Sequence, residues 1–241
     1  MKRTPSTAMV LAAGLGLRMR PLTDDRPKPL IKVAGKPLID YALDRFEAAG
    51  VRRVVVNVHF FADMMERHLA DRRSPKIVIS DERILLLETG GGLKKAAPHL
   101  GRDPVYCTNT DAILLDDAGS EACARLAETW DETEMDALLL LVPIGQASGY
   151  DGAGDFDLRA NGAIAWRSRE TAPCVFTGLQ IISPRLLEGA PEGPFSMRHL
   201  WDKALTAGRL KGLLHRGRWM HVGDPKGLDA AEARLKARES A

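Results

Sequence analysis

Residues 11–29 read Leu11-Ala12-Ala13-Gly14-Leu15-Gly16-Leu17-Arg18-Met19-Arg20-Pro21-Leu22-Thr23-Asp24-Asp25-Arg26-Pro27-Lys28-Pro29, and this stretch decides how the rest of the chain is read. The apolar run over residues 8–13 predicts a first buried strand leading into it. Gly14 and Gly16 remove side chains where the backbone must turn and approach something closely. Arg18, Arg20 and Lys28 follow as long cations, with Pro21, Pro27 and Pro29 preventing a long regular helix. Backbone N–H groups from a Gly-rich turn, together with guanidinium and ammonium groups on a stiffened loop, suit a polyphosphate. A P-loop is excluded because Gly16 is followed by Leu17-Arg18 rather than Lys-Ser/Thr. A dinucleotide fingerprint is excluded because Met19-Arg20-Pro21 stands where a third Gly and a continuing helix are needed.

Composition sets the limits around this loop. The 241 residues suit one large α/β domain or two small ones. Hydrophobic residues at 45% and charged residues at 27% are ordinary for a globular chain. A formal net charge of only +2 gives no case for nucleic acid, so the cations matter locally. Cys107, Cys123 and Cys174 are far apart and lack CxxC spacing, which predicts a reduced, cytoplasmic protein. Residues 8–13 are too short an apolar run for a signal peptide, and the run over residues 137–142 is too short to span a bilayer, so no membrane partner is expected.

Outward from the loop, Leu38, Ile39, Ala42, Leu43 and Phe46 fall at helical spacing over residues 37–49, with Gly50 as the stop. Val54-Val55-Val56-Asn57-Val58 predicts a buried strand, residues 62–69 a helix, and residues 76–80 a short strand. This alternation argues a parallel sheet with crossover helices. His59 and His68 read as surface or capping residues. Leu87-Glu88-Thr89-Gly90-Gly91-Gly92 comes next, and glycines ahead of a helical segment would let a flat ligand lie against bare backbone; a flexible turn is the other reading.

Residues 104–108 read as a central strand ending in Asn109-Thr110-Asp111. Ligands of open α/β sheets gather at the carboxyl ends of strands. A carboxylate there, facing a phosphate loop, needs a cation between them, which makes Asp111 a magnesium ligand candidate, or else a cap for the next segment. Residues 118–131 predict a helix and 136–143 a strand. Beyond them, residues 145–154 are Gly-rich and loop-like, and residues 155–158 and 163–166 flank an Asn161-Gly162 hairpin turn. Residues 175–183, with Thr177-Gly178, add a strand; such short antiparallel pieces suggest a lid over a second substrate. Residues 196–207 form an amphipathic helix, 210–215 a strand, and a charged, Ala-rich helix closes the chain to about residue 238.

The opening stretch resembles the signature of the sugar-phosphate nucleotidyltransferases, LAAGxGxRxxPxTxxxPKP, matched at Leu11, Ala12, Ala13, Gly14, Gly16, Arg18, Pro21, Thr23, Pro27, Lys28 and Pro29. The resemblance continues in order through most of the chain. It implies a single α/β domain over residues 1–241, Rossmann-like and GT-A-like, with a mostly parallel sheet flanked by helices and a small antiparallel acceptor subregion. Residues 1–143 would be the nucleotide-binding half, and 144–241 the acceptor and C-terminal half. The β-helix of longer members is not expected, since no hexapeptide period is present.

The implied reaction joins a nucleoside triphosphate and a sugar 1-phosphate into a nucleotide-sugar and pyrophosphate. LETGGG points to the branch that uses UTP and N-acetylmuramic acid 1-phosphate, in peptidoglycan recycling. Transfer of guanylyl to mannose 1-phosphate or cytidylyl to phosphocholine, and nucleotide sensing without turnover, stay open. The resemblance assigns Arg18 and Lys28 to catalysis. Ala12, Ala13, Gly14, Gly16, Glu88, Thr89, Gly90 and Gly91 would bind nucleotide, and Asn109, Gly154, Asp155 and Gly178 the acceptor. Asp111 and His221 would hold the metal. Two residues depart from the pattern: Thr110 stands where the family has Gly, and His221 where Trp-x-Asp-Val-Gly-Thr-Pro has Asp. Magnesium prefers oxygen ligands, whereas imidazole suits manganese or cobalt, so His221 shifts the expected metal. Asp224 is a further candidate for that role. A monomer or small homo-oligomer is expected.

Overall fold

The structure, a computed structural model, describes residues 4–117 and 121–239. In chain order the first elements are β1 (Thr7–Leu11), β2 (Lys32–Val33), β3 (Lys36–Pro37), α1 (Leu38–Ala48), β4 (Arg53–Val58), α2 (Ala62–Ala70), β5 (Lys76–Asp81) and α3 (Glu88–Leu100). Next come β6 (Val105–Asn109), β7 (Ala112–Leu115), α4 (Ala122–Thr129), β8 (Ala137–Pro143), β9 (Ala147–Ser148), β10 (Phe156–Leu158) and β11 (Ile164–Trp166). The chain finishes with β12 (Cys174–Ile182), α5 (Met197–Thr206), β13 (Leu210–Leu214), β14 (Arg218–His221) and α6 (Pro225–Glu239).

The main sheet is an α/β core in which β5, β4, β1 and β6 run parallel. Alternation along β1 sends Ala8 and Val10 to one apolar layer and Met9 to the other. The first layer packs under α1, α2 and α4 through Leu43, Phe46, Met65 and Leu126; the second packs under α3 and α5 through Leu93, Ala96, Leu200 and Ala204. A strand buried on both faces is apolar throughout, which is why Val54-Val55-Val56 reads as a continuous run.

Three features correct the sequence reading. The strand expected as part of a lid, β12, lies inside the main sheet, antiparallel to both β6 and β8. Its residues Val175, Leu179, Ile181 and Ile182 are buried, so it belongs to the core, and only the hairpin β10–β11 continues outward from it. The Gly90-Gly91-Gly92 run lies within α3 rather than ahead of it. A separate three-stranded sheet, β7–β14–β9, has no counterpart in the sequence reading. Its strands are too short to carry a period, but β14 brings the C-terminal segment beside the end of β6. The helix expected over residues 118–131 is observed as α4; residues 118–120 lie outside the described residues. Among the described residues, no helix is long and apolar enough to cross a membrane.

Candidate active site

A cavity of about 470 Å³ opens at the carboxyl ends of β1, β4 and β6. Its lining includes Ala12, Ala13, Gly14, Gly16, Arg18 and Lys28 from the opening stretch, Glu88 and Thr89 from the start of α3, and Asn109 and Asp111 from the end of β6. Ten of the sequence candidates thus meet in one hollow, at the place where open α/β sheets bind ligands.

The loop is built by local chemistry. Gly16 adopts φ +66°, and Thr23, itself buried, donates its hydroxyl to the Gly16 carbonyl at 3.0 Å. A Cβ at Gly16 would lie 2.9 Å from Thr23 Cγ2 and 3.0 Å from Lys28 Cβ, so the bare residue lets the loop close on the lysine. Pro27 leads Lys28 into a 3-10 turn, and Lys28 O accepts from Ile31 N at 3.0 Å. The Lys28 side chain is only 12% exposed, yet its ammonium faces Asp111 Oδ2 at 4.0 Å. Burial is the largest influence on Lys28 and pushes its ammonium below the ordinary lysine range; Asp111 pulls it upward and Arg18 adds to the downward push. Arg18 is exposed on the cavity rim, whereas Arg20, grouped with it in the sequence, is absent from the lining and pairs with Asp24 at 3.3 Å.

Strand pairing delivers the second pair of ligand candidates. His221 stands opposite Ala112 in the β14–β7 register, and Val222 N donates to Asp111 O at 2.8 Å. The result places His221 Nε2 3.8 Å from Asp111 Oδ2. Burial works to raise the Asp111 carboxyl, but the neighbouring His221 and Lys28 outweigh it and hold it below the usual carboxylate range. The opposite ring nitrogen, Nδ1, lies 3.3 Å from the Gly149 carbonyl, so the ring is held between that oxygen and the Asp111 carboxylate. The imidazole is held in place by stacking on Trp219, with ring centroids 5.7 Å apart. Thr110 also lines the cavity, with its hydroxyl tucked 3.5 Å from Leu11 O.

Other candidates lie elsewhere. Gly90 and Gly91 are not in the lining, and both N–H groups donate to Phe195 O, at 2.9 and 3.0 Å. Gly154, at φ +78°, packs on Ala172, and Asp155 accepts from Phe176 N at 2.8 Å through Oδ2. Burial raises the Asp155 carboxyl above the usual range. Gly178 lies against Asn109, with a would-be Cβ 3.3 Å from Asn109 Cβ, so it adjoins the cavity without lining it. Sequence reading missed Asn57, Leu86 and Gly223 in the lining. For Asn57 a signal existed: it is the one polar residue inside Val-Val-Val-Asn-Val.

Residues 8–147 match the MobA-like NTP transferase domain. The chain belongs to that family. It is accordingly a nucleotidyltransferase. A relative from Caulobacter vibrioides, named N-acetylmuramate alpha-1-phosphate uridylyltransferase, is 49% identical over 240 residues, covering 98% of this chain and 99% of its own. A protein of the same name from Neisseria meningitidis is 34% identical, covering 94% of this chain and 96% of its own. The solved structure of the inositol-1-phosphate CTP transferase from T. maritima superposes with a TM-score of 0.80 at 18% identity, covering 100% of this chain and 99% of that one. That likeness shows the GT-A-like fold.

Proposed function

We propose that the chain transfers a uridylyl group from UTP to N-acetylmuramic acid 1-phosphate, releasing pyrophosphate. The observation that carries the chemistry is the half-buried Lys28 ammonium facing the Asp111 carboxylate beside the Gly14–Arg18 loop. The choice of substrates rests on the two relatives that bear that enzyme's name. The acceptor phosphate is already ionised at neutral pH, so positioning and charge stabilisation carry the rate and no general base is required. The N–H groups of Gly14 and Gly16 and the Arg18 guanidinium hold the triphosphate. Lys28 bridges the α-phosphate and the attacking phosphate, offsetting the repulsion between two polyanions brought in line. Glu88 and Thr89 frame the base, while Asn109 faces the acceptor with Gly178 packed behind it, all within one catalytic domain.

Asp111 and His221 fit a divalent cation. The Asp111 carboxyl is held below the usual carboxylate range, with the His221 Nε2 3.8 Å from it, and among the described residues no group of three or more such side chains is found. A magnesium-type ion asks for no more than one or two protein ligands when substrate phosphates supply the rest. Such an ion supplies charge that neutralises the pyrophosphate leaving group. The imidazole favours manganese or cobalt over magnesium. His221→Asp is expected to raise magnesium-supported turnover several-fold and to remove any advantage of manganese. An unchanged magnesium rate, with no wild-type preference for the softer metals, contradicts this.

Pyrophosphate release across UTP, CTP, GTP and dTTP against a panel of sugar 1-phosphates tests the proposal. UTP with N-acetylmuramic acid 1-phosphate should be the best pair. GTP with mannose 1-phosphate as the best pair overturns the substrate assignment, and nucleotide binding with no release under any metal makes the chain a sensor.

A further inference from the structure

A buried polar chain ties together the two sides of the cavity. Ala12 N–H, the last amide but one before Gly14, donates to Asn57 Oδ1 at 2.7 Å. Asn57 Nδ2 donates to Glu82 Oε1 at 2.8 Å, and Glu82 Oε2 accepts from Leu87 N–H at 3.1 Å. Leu87 directly precedes Glu88 and Thr89 in the cavity wall. Asn57 is 2% exposed and Glu82 0%, and among the described residues no cation pairs with that carboxylate. A carboxylate buried without a counter-charge is costly, so its retention calls for a reason.

The polarity of the chain supplies one. Ala12 N–H and Leu87 N–H are donors by covalent structure, so Asn57 must turn its oxygen to Ala12 and its amino group to residue 82. Residue 82 must then accept at both ends, which a carboxylate does and a carboxamide cannot. Gly92 has no side chain for the same reason: a Cβ there would lie 2.8 Å from both Asn57 Nδ2 and Glu82 Oε1. The third glycine of the Gly-rich run thus makes room for this pair.

We propose that Asn57 and Glu82 are positioning residues that set the separation between the triphosphate loop and the base-side turn, and so govern nucleotide affinity but not acceptor affinity. The inference rests on the nucleotide reading of the cavity given above. Glu82→Gln keeps size and removes one acceptor, leaving either Asn57 or Leu87 N–H unpaired. Adding Asn57→Asp restores all three bonds. The carboxylate introduced at position 57 accepts from Ala12 N–H and from the amino group introduced at position 82. The carbonyl oxygen of that same new carboxamide then accepts from Leu87 N–H.

The experiment measures UTP Kd by calorimetry with magnesium, KM for UTP and for N-acetylmuramic acid 1-phosphate, and melting temperature, in wild type, E82Q and N57D/E82Q. E82Q should raise UTP Kd and KM roughly tenfold, as the loss of one buried hydrogen bond implies, with the acceptor KM unchanged. The double variant should recover most of that loss. Unchanged UTP affinity in E82Q, an equal rise in acceptor KM, a fall in melting temperature alone, or no recovery in the double variant each overturns the proposal. A wild type that binds UTP but releases no pyrophosphate overturns the reaction proposed above while the Kd comparison still decides the pair; a wild type that binds no UTP overturns both.

Discussion

Gly14 and Gly90 through Gly92 are glycines for opposite reasons. A Cβ added at Gly14 would meet no protein atom within 4 Å, because the residue borders the open cavity. A Cβ at Gly90 would lie 2.5 Å from the Phe195 ring, at Gly91 2.4 Å from Gly193 O, and at Gly92 2.8 Å from the Asn57–Glu82 pair. Gly14 is bare toward space that a ligand can fill, and the Gly90–Gly92 run is bare because protein already fills it. The two Gly-rich runs thus differ in what demands the missing side chain, and among the described residues the N–H groups of Gly14 and Gly16 have no protein acceptor while those of Gly90 and Gly91 do.

The ligand side of this contrast is broken most severely at Lys28. Lys28→Ala should lower turnover by about 3 kcal/mol or more in barrier, the scale of removing a preorganised stabilising group. Its melting temperature should stay near wild type, since the residue sits in a polar turn over little core; steady-state rates and a thermal melt on the same preparation check both. The packing side is broken next at Gly91. The atom a methyl would strike is backbone and cannot yield, so Gly91→Ala should destabilise by roughly 2 kcal/mol in denaturant titration, with activity per folded molecule largely kept. The smallest effect on the fold belongs to Gly14→Ala, expected within about 0.5 kcal/mol of wild type by the same titration. That variant should instead show weakened UTP binding by calorimetry. A Gly14→Ala protein that loses stability and keeps UTP affinity would merge the two classes of glycine.

Much of the architecture was legible because it follows from period and composition: the Val54–Val56 run, the helical spacing of Leu38 to Phe46, and the Asn161-Gly162 turn all appear where expected. That Lys28 and Asp111 would meet in one hollow was legible because a Gly-rich loop and a strand-end carboxylate are defined by local sequence. What escaped depends on long-range packing. That β12 enters the sheet interior is fixed by its partners β6 and β8, not by its own residues. That Gly90 and Gly91 donate to Phe195 O depends on a segment more than a hundred positions away. That His221 would stand beside Asp111 was carried by the family resemblance alone; the β14–β7 pairing that puts it there is too short to read from the residue pattern.

Amide hydrogen exchange, resolved at single glycines with and without UTP and magnesium, tests the contrast most directly. Among the described residues the Gly14 and Gly16 N–H groups have no protein acceptor, while those of Gly90 and Gly91 are bonded to Phe195 O. Gly14 and Gly16 should therefore exchange fast in the free protein and slow on UTP binding, with Gly90 and Gly91 slow in both states. Gly90 and Gly91 exchanging fast until UTP protects them, with Gly14 and Gly16 indifferent to it, would place the nucleotide on the wrong glycines and contradict the account.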